Sequence, residues 1–285
     1  MPPDAGGFPR IFTPPPAADD PPAAPDPHLL ATRELLRPPA RRRGDRELDP
    51  FSRAWFEELE LKRYTRHGAW LPRLLEFSRH AGESLVMLGP GLGTDALQYL
   101  RHGTRVTLCV TPADYPDVVR RNFDFRGASA DFAHVAAGEP LPFARGAFDL
   151  AYLNALHDRA DPDRLARTVA ELYRVLKPGG KVLALFPARF DAGYWQDFVL
   201  PLQHWYWRRP PDPASGARQT ARGLRRVFGR FADARVAKRH LRRTELPHAW
   251  RLLPLSLLER LLGRVLVFRA FKPLTAVRDD LPAAA

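Results

Sequence analysis

The run Ser84-Leu85-Val86-Met87-Leu88, followed by Gly89-Pro90-Gly91-Leu92-Gly93, decides the fold of this 285-residue chain. The apolar run predicts a buried strand, and Thr94-Asp95 after the glycine turn predict the cap of a helix. Strand, glycine turn and helix in this order open a βαβ unit. Glycines at this position let a bound molecule approach the helix N-terminus, where backbone N–H groups point outward.

Strands and helices alternate on both sides of this unit. An upstream helix begins near residue 49, with Phe51, Trp55, Phe56 and Leu59 on one face. Lys177-Pro178-Gly179-Gly180 ends the helix predicted at 163–176. This alternation predicts a parallel sheet covered by helices on both faces. The other predicted elements are helices at 70–79, 115–123 and 218–231, and strands at 105–110, 131–136, 148–154, 181–186, 234–241 and 264–271.

Composition sets the domain organisation and the class of protein. Residues 1–45 are dense in proline and predict a disordered tail; 46–275 predict one domain, and 276–285 a second disordered tail. The most apolar long stretch, 252–274, is interrupted by charged residues, and the N-terminus lacks the order of a secretory signal. We therefore expect a cytoplasmic protein. The lone cysteine, Cys109, predicts a buried strand residue, and no metal-ligand cluster is evident.

Three further motifs follow the glycine turn: Leu141-Pro142-Phe143, Phe148-Asp149-Leu150-Ala151-Tyr152 and the stretch Arg174-Val175-Leu176-Lys177-Pro178-Gly179-Gly180. Together they resemble class I, Rossmann-like S-adenosylmethionine-dependent methyltransferases of the small-molecule type. The resemblance covers about 49–273. It implies an α/β fold with a seven-stranded sheet of order 3-2-1-4-5-7-6, and S-adenosyl-L-methionine as cofactor. In such a sheet the ligand lies beyond the carboxyl ends of strands 1 and 4.

The resemblance also implies which residues line the cofactor site. Asn154, which ends strand 4, is expected near the methionine end of the cofactor. Tyr64 is expected over the same end, with a core aromatic as its alternative. The remaining expected cofactor contacts are Gly89, Gly91, Gly93, Asp95, Val110, Gly138 and Glu139.

Three positions depart from the family pattern, which has an acid at each. They hold Met87, Val110 and Ala137. The acid that ends strand 2 would bind both ribose hydroxyls, and its loss would cost about 3–5 kcal/mol of binding free energy. Nearby acids that could substitute are Asp114, Asp131 and Glu139.

Several functions are compatible with these residues. The first is methyl transfer to a small acceptor of hydrophobic or lipid-like character, with His157, Asp158 and His204 as candidate bases. The second is a non-catalytic protein that keeps the methyltransferase fold for binding or assembly. A nicotinamide oxidoreductase is disfavoured by the glycine spacing. Nucleic acid is not an expected partner, because the ten Arg or Lys between residues 217 and 243 accompany no RNA-binding motif.

Two inserts, at 187–215 and 246–262, interrupt the second half of the domain, and each contains an apolar segment. The segment 194–207 is rich in aromatic residues, and 250–262 is rich in leucine. The two segments could bury their apolar side chains against each other, or together they could form a lid over a hydrophobic acceptor. The leucines of the second insert are flanked by Arg251, Arg260 and Arg264, and the net charge of the chain is +12. This pattern favours peripheral contact with an anionic membrane surface.

Overall fold

The fold is known from a computed structural model that describes residues 48–111, 114–135, 139–156, 162–192, 194, 218–241 and 253–274. Contacts divide the chain after Pro50, and every element below lies in the unit Phe51–Ala285. The tails predicted at 1–45 and 276–285 fall outside the described residues. So do 195–217 and 242–252, which hold most of the first insert and the start of the second.

The described helices and strands follow the predicted alternation. A π-helical turn, Arg63–His67, and a 3-10 turn, Phe77–Arg79, accompany the helices. The helices are α1 Arg53–Lys62, α2 Leu71–Leu75, α3 Thr94–Arg101, α4 Pro116–Asp124, α5 Pro162–Val175, α6 Ala221–Val227 and α7 Leu255–Leu262. The strands are β1 Ser84–Leu88, β2 Arg105–Val110, β3 Asp131–His134, β4 Phe148–Asn154, β5 Leu176–Pro187, β6 Ala232–Arg239 and β7 Val265–Phe271.

The seven strands form one sheet of order β3-β2-β1-β4-β5-β7-β6, which confirms the order that the family resemblance implied. The strands β1 to β5 are parallel, whereas β7 runs antiparallel to both β5 and β6. In the final hairpin Arg239 lies opposite Val265, which confirms the predicted pairing. Buried side chains cover both faces of the sheet, with Val86 and Phe268 on one face and Leu85 and Tyr99 on the other.

Two local predictions were wrong. The helix predicted at 70–79 is broken by Glu76, which has a φ of 54° and separates α2 from the 3-10 turn. Its carboxylate contacts Lys181 of β5 and Arg269 of β7, so the break brings a charged side chain to these two neighbouring strands. The residues 177–180, predicted to be a loop, lie within β5, where Leu176 pairs with Phe148 and the register then shifts.

Within the described part of the chain, no helix is both long and apolar enough to cross a bilayer.

Candidate functional site

The carboxyl ends of three strands meet beside the glycine turn. Leu88 ends β1, Val110 ends β2 and Asn154 ends β4. Because β1 pairs in parallel with both β2 and β4, these ends lie at one edge of the sheet. The chain order of the strands reverses here, and open α/β sheets bind ligands at such a switch point. We call this the carboxyl edge.

The three glycines of the turn have different surroundings, although each has a positive φ. A Cβ on Gly89 would lie 2.3 Å from the Asn154 carbonyl oxygen, and one on Gly93 would lie 2.5 Å from the Phe123 ring. These two glycines are therefore required by packing against β4 and α4. A Cβ on Gly91 would meet nothing within 4 Å, and Gly91 is exposed. Only Gly91 leaves backbone open to an approaching molecule.

The helix after the turn begins without a side-chain cap. Its N-cap residue is Gly93, with a φ of 74°, and neither Thr94 nor Asp95 caps it, so that prediction was wrong. The first N–H groups of a helix have no intrahelical acceptor, and they carry the positive end of the helix dipole. Asn122 donates from Nδ2 to the Leu92 carbonyl over 2.6 Å and fixes the turn from the side of α4. The turn thus presents donors suited to a carboxylate.

Asp95 is instead the centre of a buried network behind the turn. Arg63 donates to both carboxylate oxygens, from Nε to Oδ1 over 2.7 Å and from Nη2 to Oδ2 over 2.5 Å. Tyr64 donates its hydroxyl to Oδ1 and Tyr152 donates to Oδ2, each over 2.7 Å. A carboxylate offers about four acceptor sites, so protein donors occupy all of them here. The predicted cofactor contact of Asp95 is consequently left to its backbone N–H.

Charge and burial oppose each other in this network. Burial alone would raise the pKa of Asp95, but the Arg63 charge and the three donors hold that pKa below its usual value. Burial and the Asp95 charge together raise the pKa values of Tyr64 and Tyr152. The carboxylate is therefore ionised and both tyrosines are neutral at physiological pH. Sequence reasoning named Tyr64 but missed Arg63 and Tyr152, although a hydroxyl inside an apolar strand signals a hydrogen-bond partner.

Tyr64 is partly a core residue. Its ring packs edge-on against Phe77, with centroids 5.9 Å apart, and its hydroxyl is bound to Asp95. It lies in the π-helical turn that follows α1. Glu60 of α1 contacts Arg126 over 3.0 Å and also contacts Gln98 of α3. The segment formed by α1 and the π-helical turn is thus attached to α3 and to the residues that follow α4.

Two of the three positions without the family acid, Met87 and Val110, are apolar and buried. Met87 and Val110 are both 0% exposed and lie in the same apolar layer, so neither side chain reaches the carboxyl edge. Asp114 follows β2, and its Oδ2 accepts from the Thr111 backbone N–H over 2.7 Å and from the Thr111 hydroxyl over 2.8 Å. Burial raises the pKa of the Cys109 thiol to about 12, and the negative charge of Asp114 contributes to this rise. Asp114 therefore brings a carboxylate to the end of β2.

The other two candidate acids lie at different edges. Asp131 is the first residue of β3, opposite Thr107 in β2, so it stands away from the carboxyl end of that strand and does not substitute. Glu139 is exposed and follows the carboxyl end of β3. Ala137 and Gly138 lie outside the described residues, and so do the candidate bases His157, Asp158 and His204.

Asn154 ends β4 with its backbone against the turn. Its carbonyl faces Gly89, and its side-chain Oδ1 accepts from the Leu156 N–H over 3.4 Å. The side chain is half-buried at the carboxyl edge, where the predicted contact with a cofactor stays a prediction. No group of three or more His, Cys, Asp or Glu in the described ranges is arranged to hold a metal ion.

The three downstream motifs hold one another in place. Arg174 donates to the carbonyls of Leu141 and Phe143 over 2.8 and 2.7 Å. Lys177 binds Asp149 over 2.7 Å, and Ser84 at the start of β1 binds the other oxygen of the same carboxylate. Burial opposes ionisation of Asp149, but these donors lower its pKa to about 2. These motif residues therefore stabilise the sheet that positions the turn.

Exposed apolar side chains lie farther along the same edge. Pro187 and Arg239, the last residues of β5 and β6, both pair with Val265, the first residue of β7. The segments after β5 and before β7 thus emerge at the carboxyl edge. Among the described residues of these segments, the exposed large apolar ones are Phe190, Tyr194, Leu253, Leu257 and Leu261.

Comparisons with known proteins agree with this geometry. Residues 86–180 match the family described as a methyltransferase domain. The chain is also 30% identical over 129 residues to a tRNA N(3)-methylcytidine methyltransferase of Schizosaccharomyces pombe. That alignment covers 42% of each protein, so the chain aligns with less than half of this curated relative.

Solved structures share the fold at low identity. A SAM-dependent methyltransferase from Methanosarcina mazei has a TM-score of 0.50 and 20% identity, covering 72% of this chain and 98% of that one. An exported-protein candidate from Bordetella parapertussis has a TM-score of 0.52 and 19% identity, covering 86% and 79%. The arrangement of strands and helices is therefore one that other proteins also adopt.

Proposed function

Because this chain carries a class I S-adenosylmethionine-dependent methyltransferase domain, we propose that it binds S-adenosylmethionine at the glycine turn and transfers the methyl group to an apolar acceptor. The observation that carries the proposal is the open backbone at Gly91 beside an uncapped helix N-terminus. That cradle suits the carboxylate of the cofactor's amino-acid part. The cofactor supplies a methyl group on a positively charged sulfur.

The residues of the carboxyl edge divide the binding between them. The backbone at Gly91 and the N–H groups of Thr94 and Asp95 hold the amino-acid end. Asp114 replaces the missing acid at the end of β2 and accepts hydrogen bonds from the ribose hydroxyls. Its orientation by Thr111 supports this role, because a carboxylate held by two donors loses little freedom on binding. The buried Asp95 network keeps the first turn of α3 in position.

The transfer itself makes one bond and breaks one. A nucleophilic atom of the acceptor attacks the methyl carbon, the carbon–sulfur bond breaks, and the bonding electrons remain on sulfur. The acceptor then releases a proton to water or to a base. Alignment of the three atoms matters more than a fixed catalytic group in such a displacement.

The apolar side chains at the carboxyl edge support the acceptor class. Phe190 follows β5, and β5 is adjacent to β4 at the proposed cofactor site. An apolar acceptor could contact these side chains while its nucleophilic atom reaches the methyl group. The similarity to a tRNA methyltransferase gives RNA as the competing acceptor class.

Calorimetric titration with S-adenosylmethionine tests the cofactor site. Gly91→Val should lower the affinity by about tenfold or more, because the new side chain occupies the approach to the backbone. Gly127→Val is the matched control, since Gly127 is also exposed, has a φ of 58° against 56° for Gly91, and also lacks neighbours within 4 Å. Equal affinities in the two variants would refute the site. If the wild-type protein releases or absorbs no heat even at a high concentration of cofactor, a non-catalytic binding or assembly role would be favoured.

The acceptor class is tested by methyl-labelled cofactor. The purified protein is incubated with the lipid, RNA and protein fractions of a cell extract, each supplied separately. The proposal expects label in the lipid fraction. Label in RNA alone would overturn the apolar acceptor and leave the methyltransferase activity standing.

A further inference from the structure

A stripe of exposed leucines lies beyond the proposed cofactor site. Leu257 and Leu261 are four residues apart on one side of α7, and Leu253 stands two residues before the helix begins. Their exposed fractions are 44%, 49% and 56%. We call these three residues the leucine stripe. Three adjacent leucines exposed to this degree are unusual on a surface that contacts only water.

The side of α7 that adjoins the stripe is buried and fixes the stripe in place. Leu258 and Leu262 pack with Ala192 and Leu241 in a small apolar cluster. Lys238 of β6 donates to the Leu261 carbonyl over 2.7 Å and to the Phe190 carbonyl over 2.6 Å. The helix is therefore apolar on two sides, and only one of them has a partner within the described chain. An apolar face this wide is typical of a helix that also contacts a second apolar surface.

The charges around the stripe indicate the chemistry of that contact. Arg260 is exposed between Leu257 and Leu261, and the acid on α7, Glu259, lies 3.7 Å from Arg239. Across residues 218–241 and 253–274 there are twelve Arg or Lys and two acids. The leucine stripe thus lies within a strongly basic part of the chain.

We propose that the leucine stripe docks on an anionic membrane surface. The leucines enter the boundary between headgroups and acyl chains, and the surrounding arginines contact lipid phosphates. The leucines favour a membrane over RNA, because RNA is bound by basic side chains and stacked aromatics, and exposed leucines have no partner on a phosphate backbone. α7 lies at the carboxyl edge, where Lys238 of β6 holds it. In the sheet, β6 is three strand spacings, or about 14 Å, from β4.

This docking does not depend on methyl transfer. Vesicle binding is measured without cofactor, so the proposed activity and the proposed docking can fail separately. If both hold, the membrane supplies apolar acceptors to the edge at which the cofactor binds.

Co-sedimentation with vesicles tests the docking. The full chain is mixed at low salt with phosphatidylcholine vesicles or with vesicles that also contain phosphatidylglycerol. We expect binding to the anionic vesicles alone, and a decrease as salt is added. Leu257→Glu/Leu261→Glu should weaken this binding by about tenfold or more. Leu61→Glu/Leu274→Glu is the matched control, because it makes the same charge change at leucines that are 56% and 80% exposed elsewhere.

Circular dichroism and the melting temperature establish that both double variants are folded. Arg260→Gln gives a second test, in which the loss of one positive charge should weaken vesicle binding by a smaller factor. Weaker binding by the stripe variant, with the control variant unchanged, supports the docking. Equal weakening in both double variants would mean that net charge alone drives association and would overturn the proposal. So would a failure to sediment with anionic vesicles, or binding to a tRNA probe that is tighter than vesicle binding and indifferent to the leucine substitutions.

Discussion

Replacement of Asp95 by asparagine should destabilise the fold substantially, because its carboxylate is 4% exposed and accepts from both Nε and Nη2 of Arg63. The asparagine amide has nearly the same shape but carries a single oxygen. In one orientation its NH2 group meets Arg63 Nε and the Tyr64 hydroxyl; in the other it meets Arg63 Nη2 and the Tyr152 hydroxyl. A donor therefore faces an arginine donor in both orientations.

The size of the effect follows from the burial of the two partners. Removal of one partner of a buried ion pair typically costs about 3–5 kcal/mol. The Arg63 side chain is 27% exposed, so water relieves part of its lost pairing. We expect a loss of about 3 kcal/mol in the free energy of unfolding, which corresponds to a decrease of about 9 °C in the melting temperature for a domain of this size.

Urea unfolding at neutral pH, followed by circular dichroism, measures this loss. Asp117→Asn is the control, since Asp117 is 72% exposed and its pairing with Arg120 is a surface contact; its effect should stay below about 0.5 kcal/mol. Arg63→Met combined with Asp95→Asn should cost less than the sum of the two single changes. A loss below about 1 kcal/mol for Asp95→Asn, or additivity in the double variant, would refute the network as a source of stability.

Four further changes test other features of the chain. The pKa of Asp149 is lowered from 3.8 to about 2, so the carboxylate contributes about 2 kcal/mol that is present above pH 4 and lost as the pH falls towards 2; Asp149→Asn should remove this acid dependence from melting curves. Val110→Asp should destabilise the domain by about 3 kcal/mol rather than restore ribose binding, because the position is fully buried, whereas Asp114→Asn should weaken cofactor binding in calorimetry and leave stability nearly unchanged. Deletion of residues 1–45, whose composition predicts little burial, should leave the melting temperature within about 2 °C of the full chain; a larger decrease would show that this segment packs on the domain.

The positions of the strands were predictable because they depend on patterns that are local in the sequence, whereas the strand order was implied by the family resemblance. Each parallel strand is an apolar run bounded by a turn, and the antiparallel end was implied by the family resemblance. The break at Glu76 was not predictable, since its φ of 54° is stabilised by Lys181 and Arg269, which lie more than 100 residues away in the chain.

The candidate site was predicted only in outline. The glycine turn was located correctly, but Asp95 was assigned to capping because the position after a turn usually has that role. Its real partners come from the π-helical turn and from β4, and no spacing rule connects those three segments. The register of β2 likewise decides that Val110 faces the apolar layer, and that register depends on tertiary pairing with β1 and β3.

The unequal surroundings of the three turn glycines have a consequence for how such sequences diverge. A descendant that lost its ligand would still need Gly89 beside the Asn154 carbonyl and Gly93 beside Phe123, because any larger residue would collide there. Gly91 would be released from that requirement, apart from the cost of its positive φ. Gly89 and Gly93 can thus be retained after the activity is lost, because packing requires them. A substitution at Gly91 would be the first sign in such a sequence that ligand binding has been lost.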